Sequence, residues 1–457
     1  MANSLDQIEH IVLLMMENRS FDNVLGTLYP LTYASNGYQF DGLPLNSVNY
    51  VPPVPPGTQP TTQVAYPVYT EAPPATDWNT MINPATDPGE LFYEMNQQIF
   101  GTVFNSSPPF GPPPNPPYMN GFAANYATRS SSPGDVMHYF TATQVPVSTA
   151  LAQQYAVCDA WFASAPTQTF PNRMFSLCGT SCGLVNDVDF GSNTNNWRDQ
   201  QSIFAYLDSK LGSGQVNWKV YYQYATQGYS YSITQLLVNY LSNSSQVVDF
   251  TEFQSDITSG ALPAFSVIEP CYGQYLSLHV LGSSNHPGGA NVMAGEQFLW
   301  QVYNALQSNP TVFNKTLLIV TYDEHGGCFD HVAPSTALAP DQYNTDPFNR
   351  YGVRVPTILI SPLISAGQIF RASTSTAPNL DHTSIIRTVF DCFLTPGDYL
   401  LARDQTAPSV ADVLDLQSPD NPGTDVAEPP TPTPPSGFVA RPSHLSEMAG
   451  LMRAAYE

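Results

Sequence analysis

Long apolar runs divide the chain into predicted strands. The run from Ile8 to Met16 is almost wholly apolar after His10, which is typical of a strand covered on both faces in a parallel sheet. Similar runs recur at Trp218–Tyr222, Ala264–Ile268, Leu317–Tyr322 and Val355–Ile360. Stretches with helical spacing lie between several of them, at Ser202–Leu211, Gly295–Leu306 and His382–Phe390. Strands that alternate with helices predict a mainly parallel sheet of the α/β class.

Two proline-rich segments interrupt this alternation. Residues from about 29 to 117 include VPPVPPG and PPFGPPPNPP, and they predict an insertion or cap over the sheet rather than a separate domain. Residues 428–457 begin with EPPTPTPPSG, a linker of extended character, and a short helix is predicted from Ser443 to Tyr456. We therefore predict one large domain over residues 1–427, followed by this linker and helix.

The charge balance excludes some partners. The chain has 14 basic and 37 acidic residues, a net charge of −23. Such a surface repels nucleic acids and anionic bilayers, so no nucleic-acid partner is expected and contact with lipid surfaces would be transient at most. An anionic substrate would need a local positive centre, which a divalent cation can supply.

The sequence predicts no transmembrane segment, because no apolar run reaches the roughly 18 residues that a span needs. It also predicts no signal peptide, because Asp6, Glu9 and His10 interrupt the N-terminal apolar stretch. The six cysteines are an even number, which leaves both disulfides and buried thiols open.

Polar residues follow three of the buried stretches, where parallel sheets bind their ligands. Glu17 and Asn18 follow the first strand and offer a carboxylate and an amide oxygen, which suit a hard cation, although a polar turn would look the same. Asp323 and Glu324 follow the strand that begins at Leu317. Two adjacent carboxylates repel each other unless a positive charge lies beside them; the alternative is a helix N-terminus complemented by acids.

A third polar segment, TQTFPNR, follows the apolar stretch Cys158–Ala165. A Thr169 hydroxyl beside a metal could attack phosphorus, and Asn172 and Arg173 could hold the oxygens of a phosphoryl group. The alternative is an ordinary turn into a helix. Histidines could add acid–base chemistry. His286 and His382 could do so but could equally be structural, whereas His325, Asp330 and His331 strengthen the metal or acid–base interpretation of the segment that contains Asp323 and Glu324.

Taken together, these segments resemble the bacterial phosphoesterase family that contains non-specific phospholipases C and acid phosphatases. The matching segments occur in the family's order over roughly residues 8 to 393: IEHIVLLMMENRSFDNVLG, PTQTFPNR, TYDEHGGCFDHVAP, YGVRVPTILISP and DHTSIIRTVF. The resemblance implies an alkaline-phosphatase-like core, a three-layer α/β/α sandwich with a mainly parallel central sheet, and makes residues 1–427 a catalytic domain. It also implies a secreted or periplasmic protein, whereas the lack of a signal peptide leaves a cytoplasmic location open.

The resemblance also assigns roles to individual residues. It implies one divalent metal ion, with Ca²⁺ or Mg²⁺ favoured by the oxygen-rich ligand set Glu17, Asn18, Asp323 and Glu324. It makes Thr169 the nucleophile, and we assign catalytic roles to His286 and His382. We assign substrate contacts to Asn172, Arg173 and His325.

The implied function is a metal-dependent phospholipase C type of hydrolysis that releases phosphorylated headgroups through a phosphothreonine intermediate. Threonine rather than serine at position 169 resembles the phospholipase branch, so the expected substrate is a phospholipid or a small phosphate ester. An acid phosphatase acting on phosphomonoesters is one alternative. A catalytically inactive binding protein is another, because the segment Asp87–Glu90 (DPGE) lacks the histidine of the family's DPGHE-type stretch.

Overall fold

An eight-stranded sheet forms the centre of the molecule. The computed structural model describes residues 4–55, 57–71, 77–101, 117–187, 197–212, 214–223, 232–272, 282–343 and 348–436. The strands of the central sheet are, in chain order, β1 His10–Met16, β2 Ala156–Val157, β3 Trp218–Tyr222, β4 Val247–Asp249, β5 Phe265–Glu269, β6 Thr316–Tyr322, β7 Ile358–Ile360 and β8 Gln368–Ile369. Across the sheet they lie in the order β8-β2-β7-β6-β1-β5-β3-β4.

The sheet is mainly parallel, as predicted. Strand β7 pairs antiparallel with both β6 and β2, and the other neighbouring pairs are parallel. Every residue of β1 after His10 is buried, because helices cover both faces of a central parallel strand. The predicted strand from Val355 begins only at Ile358, since Pro356 has no N–H to donate to the ladder.

Helices cover the sheet in two groups. One group surrounds helix Val292–Gln307 and consists of Pro146–Gln154, Thr251–Ser259 and Pro310–Phe313. The other surrounds helix Thr169–Cys178 and consists of Ile203–Leu211, Ile233–Leu237 and Thr383–Phe393. With the sheet between them, these layers form the predicted three-layer α/β/α sandwich. The three helices predicted between strands are all present, as Ile203–Leu211, Val292–Gln307 and Thr383–Phe393.

The remaining elements are short. The other α-helices of the described residues are Phe21–Val24, Trp78–Met81, Phe92–Phe100, Phe122–Tyr126 and Ala402–Thr406. Single 3₁₀ turns occupy Ser4–Gln7, Pro133–Met137, Trp197–Asp199, Asn239–Leu241 and Ala411–Val413. Three two-stranded sheets pair Ala34–Ser35 with Tyr38–Gln39, Val48–Val51 with Val64–Pro67, and Leu380–Asp381 with Trp161–Phe162.

The proline-rich insertion is tied to the main body by a second apolar cluster. Ile99 and Phe100 at the end of one of its helices pack with Phe122, Phe329 and Val353. The part of the insertion from 102 to 116 lies outside the described residues, as does the helix predicted at Ser443–Tyr456. The limits predicted for the insertion and for the two parts of the chain stay predictions.

The C-terminal linker lies along helix Val292–Gln307 as far as it is described. Gln297 Nε2 donates to the carbonyl oxygen of Pro429 at 3.0 Å, and Trp300 Nε1 donates to that of Val426 at 2.8 Å. Among the described residues, no helix has the length and apolarity needed to cross a bilayer.

Candidate active site

Two strand ends bring the predicted metal ligands together. Strands β1 and β6 are parallel neighbours, and their register pairs Met16 with Tyr322. The residues that follow, Glu17–Asn18 and Asp323–Glu324, therefore leave the same edge of the sheet side by side. All four side chains are fully buried. This is the edge at which parallel α/β sheets bind their ligands.

Backbone contacts hold the two strand ends against each other. The Asn18 N–H donates to Asp323 Oδ1 at 3.0 Å, and the Glu324 N–H donates to the same oxygen at 2.8 Å. Asn18 adopts a left-handed conformation with a φ of 59°. Gly326 packs directly on it, since a Cβ at Gly326 would collide with the Asn18 carbonyl oxygen. The turn after β6 therefore requires glycine at this position.

The donor set fits a hard divalent cation. Three carboxylates and one amide are buried at this edge of the sheet, and oxygen donors of this kind suit Ca²⁺ or Mg²⁺. Among the described residues, a second acidic group next to Asn18 also has its ligand atoms within 4.8 Å of one another, formed by Asp87, Glu90 and His286. Arg173 Nε pairs with Asp323 at 3.0 Å. Burial works to lower the pKa of Arg173, but Tyr272 and the carboxylates of Asp323 and Glu17 raise it. A bound cation would add positive charge at this edge and offset part of the cost of burying the carboxylates.

The predicted nucleophile lies against this set. Thr169 is the first residue of helix Thr169–Cys178, is fully buried, and donates from Oγ1 to Asn18 Oδ1 at 3.3 Å. The predicted nucleophile therefore lies beside one of the predicted metal ligands.

Asp187 fixes the start of this helix, and sequence reasoning did not identify it. Its Oδ1 accepts from the Phe170 N–H at 2.9 Å, and its own N–H donates to Gln168 Oε1 at 3.0 Å. These contacts bracket Thr169 on both sides. No local pattern marks Asp187, because its partners lie in another segment of the chain.

Asn172 and Arg173 both have partners within the protein. Asn172 Oδ1 accepts from the Ala165 N–H at 3.0 Å, and its Nδ2 donates to the Thr167 carbonyl oxygen at 2.7 Å. The amide thus holds the loop before Thr169. Arg173 reaches Asp323, and its Nη2 donates to the Met16 carbonyl oxygen at 3.1 Å. Their predicted contacts with a phosphoryl group stay predictions.

His286 and Glu90 meet at the amide nitrogen of Asn18. Asn18 Nδ2 lies 3.0 Å from His286 Nε2 and 2.8 Å from Glu90 Oε1. Burial, and then the neighbouring Asp87 carboxylate, raise the pKa of Glu90 above its ordinary value. Glu90 was noted in the sequence only as part of a segment that lacks a histidine; that departure was the signal that could have identified it.

The other two histidines predicted for the site, His382 and His325, lie next to the acidic pair Asp323–Glu324 that follows β6. His382 Nε2 lies 2.6 Å from the Asp323 carbonyl oxygen, Trp161 Nε1 donates to its Nδ1 at 3.3 Å, and burial lowers its pKa. His325 Nε2 lies 2.8 Å from Gln98 Oε1, and burial lowers the pKa of His325 to about 3. Burial therefore disfavours the charged form of both rings, and the roles predicted for them stay predictions.

Asp330 and His331 belong to a separate charged network. Arg354 is fully buried and pairs with Asp330 and Asp22, each at 3.0 Å. Burial works against a charged His331, but hydrogen bonds to Asp22 and Asp41 outweigh it and raise the pKa of His331 to about 9. The ligand atoms of Asp22, Asp330 and His331 lie within 4.8 Å of one another, as in a metal site, but Arg354 already pairs with both carboxylates.

Most of the chain is similar to proteins of known families. The model of the Phosphoesterase family matches residues 8–395. The chain is 33% identical over 424 residues to non-specific phospholipase C4 of Arabidopsis thaliana, covering 90% of this chain and 72% of that protein. It is 28% identical over 464 residues to phospholipase C A of Mycobacterium tuberculosis, covering 91% and 79%.

Among solved structures, the chain is similar to a protein in the alkaline phosphatase superfamily from Vibrio parahaemolyticus. The TM-score is 0.35 at 12% identity, over 57% of this chain and 64% of that one. The family match, by contrast, extends over most of the chain and includes both strand ends and the helix of Thr169. The chain therefore belongs to the phosphoesterase family and is a phosphoric-ester hydrolase.

Proposed function

We propose that the protein is a phospholipase C type of phosphodiesterase that releases phosphorylated headgroups from phospholipids. The observation that carries the proposal is the Thr169 hydroxyl 3.3 Å from Asn18 Oδ1, beside the buried oxygen set at the ends of β1 and β6. The similarity to proteins named non-specific phospholipase C and phospholipase C supports the choice of a diester.

The proposed reaction has two displacements on phosphorus. Thr169 Oγ1 loses its proton to His286 and forms a bond to phosphorus while the bond to the leaving alcohol oxygen breaks, and His286 passes a proton to that leaving oxygen. Water then attacks phosphorus, the bond to Thr169 Oγ1 breaks, and the proton that the water loses returns to this oxygen, which regenerates the hydroxyl. Asp187 and Asn172 keep Thr169 in place.

Glu17, Asn18, Asp323 and Glu324 would hold the metal ion, with Ca²⁺ or Mg²⁺ favoured by the oxygen donors. When bound, such an ion supplies Lewis-acid chemistry, lowering the pKa of a neighbouring hydroxyl and neutralising charge on the phosphoryl group. Arg173 holds Asp323 in position through its ion pair. His382 holds the same residue through a hydrogen bond between its Nε2 and the Asp323 carbonyl oxygen.

The protein's charge favours a zwitterionic lipid. A surface with a net charge of −23 repels anionic substrates at a distance. A phosphatidylcholine headgroup has no net charge, so its approach meets no such barrier. We therefore propose phosphatidylcholine-like diesters as the preferred substrate class.

The discriminating assay compares rates on p-nitrophenyl phosphorylcholine and p-nitrophenyl phosphate. We expect preference for the diester in the wild type, and a loss of about 10⁴-fold or more in kcat for Thr169→Ala. Thr316→Ala is the matched control, since Thr316 is an equally buried threonine at the other end of β6. A clear preference for the monoester would replace the diesterase with an acid phosphatase. Unchanged turnover in Thr169→Ala would remove Thr169 as the nucleophile.

A further inference from the structure

A groove lies between two neighbouring helices on one face of the sheet. It has a volume of about 590 Å³ and is lined from helices Thr251–Ser259 and Val292–Gln307 and from the residues next to them. Phe250, Trp300 and Ala305 give it an apolar wall, and the other residues that line it are polar but uncharged. Such a groove suits the apolar face of a helix better than a charged ligand.

The C-terminal linker already runs beside this groove. Trp300, which lines the groove, donates from Nε1 to the Val426 carbonyl oxygen at 2.8 Å. One turn nearer the start of the same helix, Gln297 Nε2 donates to Thr431 Oγ1 at 2.9 Å. The linker therefore follows the helix from its end toward its start, and the chain after Thr431 continues from a point close to the groove.

The segment that comes next lies outside the described residues, and its sequence has the pattern of a helix with one apolar face. Leu445, Met448, Met452 and Tyr456 recur at spacings of three and four residues, so they share one side of the helix predicted for residues 443–456. A helix of this length is marginal in water by itself. It needs a surface that covers its apolar face.

The linker is long enough to return this segment to the groove of its own chain. Residues 432–442 span up to about 36 Å when extended, whereas the helix rises only about 17 Å between positions 297 and 308. Tethering by such a linker gives the segment an effective concentration of about 1 mM at the groove. A second copy must instead overcome the repulsion between two chains that each have a net charge of −23.

We propose that residues 443–456 form an amphipathic helix that docks in this groove of their own chain, with its apolar face against Phe250 and Trp300. The linker and the helix are then part of the surface of the main domain rather than a separate tail. The proposal goes beyond the proposed function and does not depend on which ester the protein hydrolyses.

Hydrogen exchange of the full chain, followed by mass spectrometry, tests the docking directly. We expect the amides of residues 443–456 to exchange at least about 10-fold more slowly than the same amides in a synthetic peptide of residues 441–457. The peptide shows how much protection the helix has without the groove. Equal exchange rates in the protein and in the peptide would overturn the proposal.

A charge placed in the groove should remove this protection. Asn304 is exposed and lines the groove, so Asn304→Arg should bring exchange of the segment to within about twofold of the peptide. Ser209→Arg is the matched control, because Ser209 is exposed on helix Ile203–Leu211 in the other group of helices, and it should keep the wild-type protection. Protection that survives Asn304→Arg would show that the segment docks elsewhere and would overturn the proposal.

A second pair of variants tests the segment itself. Met452→Asp places a charge on the apolar face, whereas Ala454→Asp places the same charge on the opposite face of the predicted helix. We expect protection to be lost in Met452→Asp and kept in Ala454→Asp. Equal losses would show that the apolar face does not make the contact. This pair decides the matter even if Asn304→Arg does not fold.

Dilution distinguishes docking within one chain from docking on a second copy. Between about 100 and 1 µM protein, protection of residues 443–456 should stay constant, because a tethered segment does not depend on protein concentration. Protection that falls on dilution, together with a dimer in light scattering at the higher concentration, would assign the groove to a second copy and overturn the proposal.

Discussion

Glu296 should make the protein less stable as the pH rises toward neutral. It lies in helix Val292–Gln307 and is 1% exposed. It accepts from the N–H groups of Val147 and Ser148 at 2.6 and 3.0 Å, which joins this helix to the start of helix Pro146–Gln154. Burial raises the pKa of Glu296 to about 7, although these hydrogen bonds lower it.

The direction and size of the effect follow from this pKa. An unfolded glutamate titrates near 4.5, so between about pH 4.5 and pH 7 the folded protein holds a proton that the unfolded chain has lost. The free energy of unfolding therefore falls as the pH rises through this window. A shift of about 2.5 pKa units at about 1.4 kcal/mol each gives a loss of roughly 3 kcal/mol.

Glu296→Gln removes this titration and is the variant to compare with the wild type. Urea unfolding at pH 5, 6, 7 and 8 should show the variant gaining roughly 3 kcal/mol relative to the wild type across the series. Glu252→Gln, on an exposed face of helix Thr251–Ser259, is the control and should run parallel to the wild type. A difference between Glu296→Gln and the wild type that stays the same at pH 5 and pH 8 would refute the reasoning.

Two further substitutions test how the site is supported. Arg354→Met should lower the free energy of unfolding by about 3–5 kcal/mol, because it leaves two buried carboxylates without their guanidinium; a loss below about 1 kcal/mol would show that the network is not balanced by this residue. Gly326→Ala should cost about 1–3 kcal/mol and weaken cation binding, because its Cβ would collide with Asn18. Gly397→Ala, which also has a positive φ but no atom near a Cβ, should leave cation binding unchanged.

The sheet and the pairing of its strand ends could be predicted because they depend on local patterns. The apolar runs that end at Met16 and Tyr322 are long and uninterrupted, and parallel neighbours carry their ends to the same edge of the sheet. Strands β2, β4 and β8 have only two or three residues each. An apolar period cannot be recognised over so short a stretch, and tertiary pairing decides where such strands form.

The roles of side chains around Thr169 were harder to predict than their positions. Asn172 and Arg173 lie three and four residues after Thr169, so a helix places them near its face. The sequence therefore predicted that they would reach outward to a phosphoryl group. It could not show that Ala165 and Asp323 would already engage them, because those contacts depend on how separate segments pack.

Glu90 and Asp187 are residues near Thr169 and Asn18 whose contacts the sequence did not predict. Glu90 contacts a residue 72 positions away, and Asp187 caps a helix that begins 18 positions before it. Neither contact follows from hydrophobic period or from turn chemistry. In the sequence, Glu90 stood out only as part of a segment that departs from the family's DPGHE-type stretch. The fold was needed to show that Glu90 contacts Asn18.

An acidic protein should repel an anionic phosphate ester, and this conflict could be resolved at the edge of the sheet where β1 and β6 end. Glu17, Asp323 and Glu324 are buried at this edge and Glu90 contacts Asn18, which itself contacts Thr169, so a phosphoryl group beside Thr169 would meet negative charge. A bound divalent cation would reverse the local sign of the charge and leave the remaining acidic surface unchanged. Under the proposed function, affinity for the ester should then depend on cation binding rather than on a basic patch, in a chain with only 14 lysines and arginines.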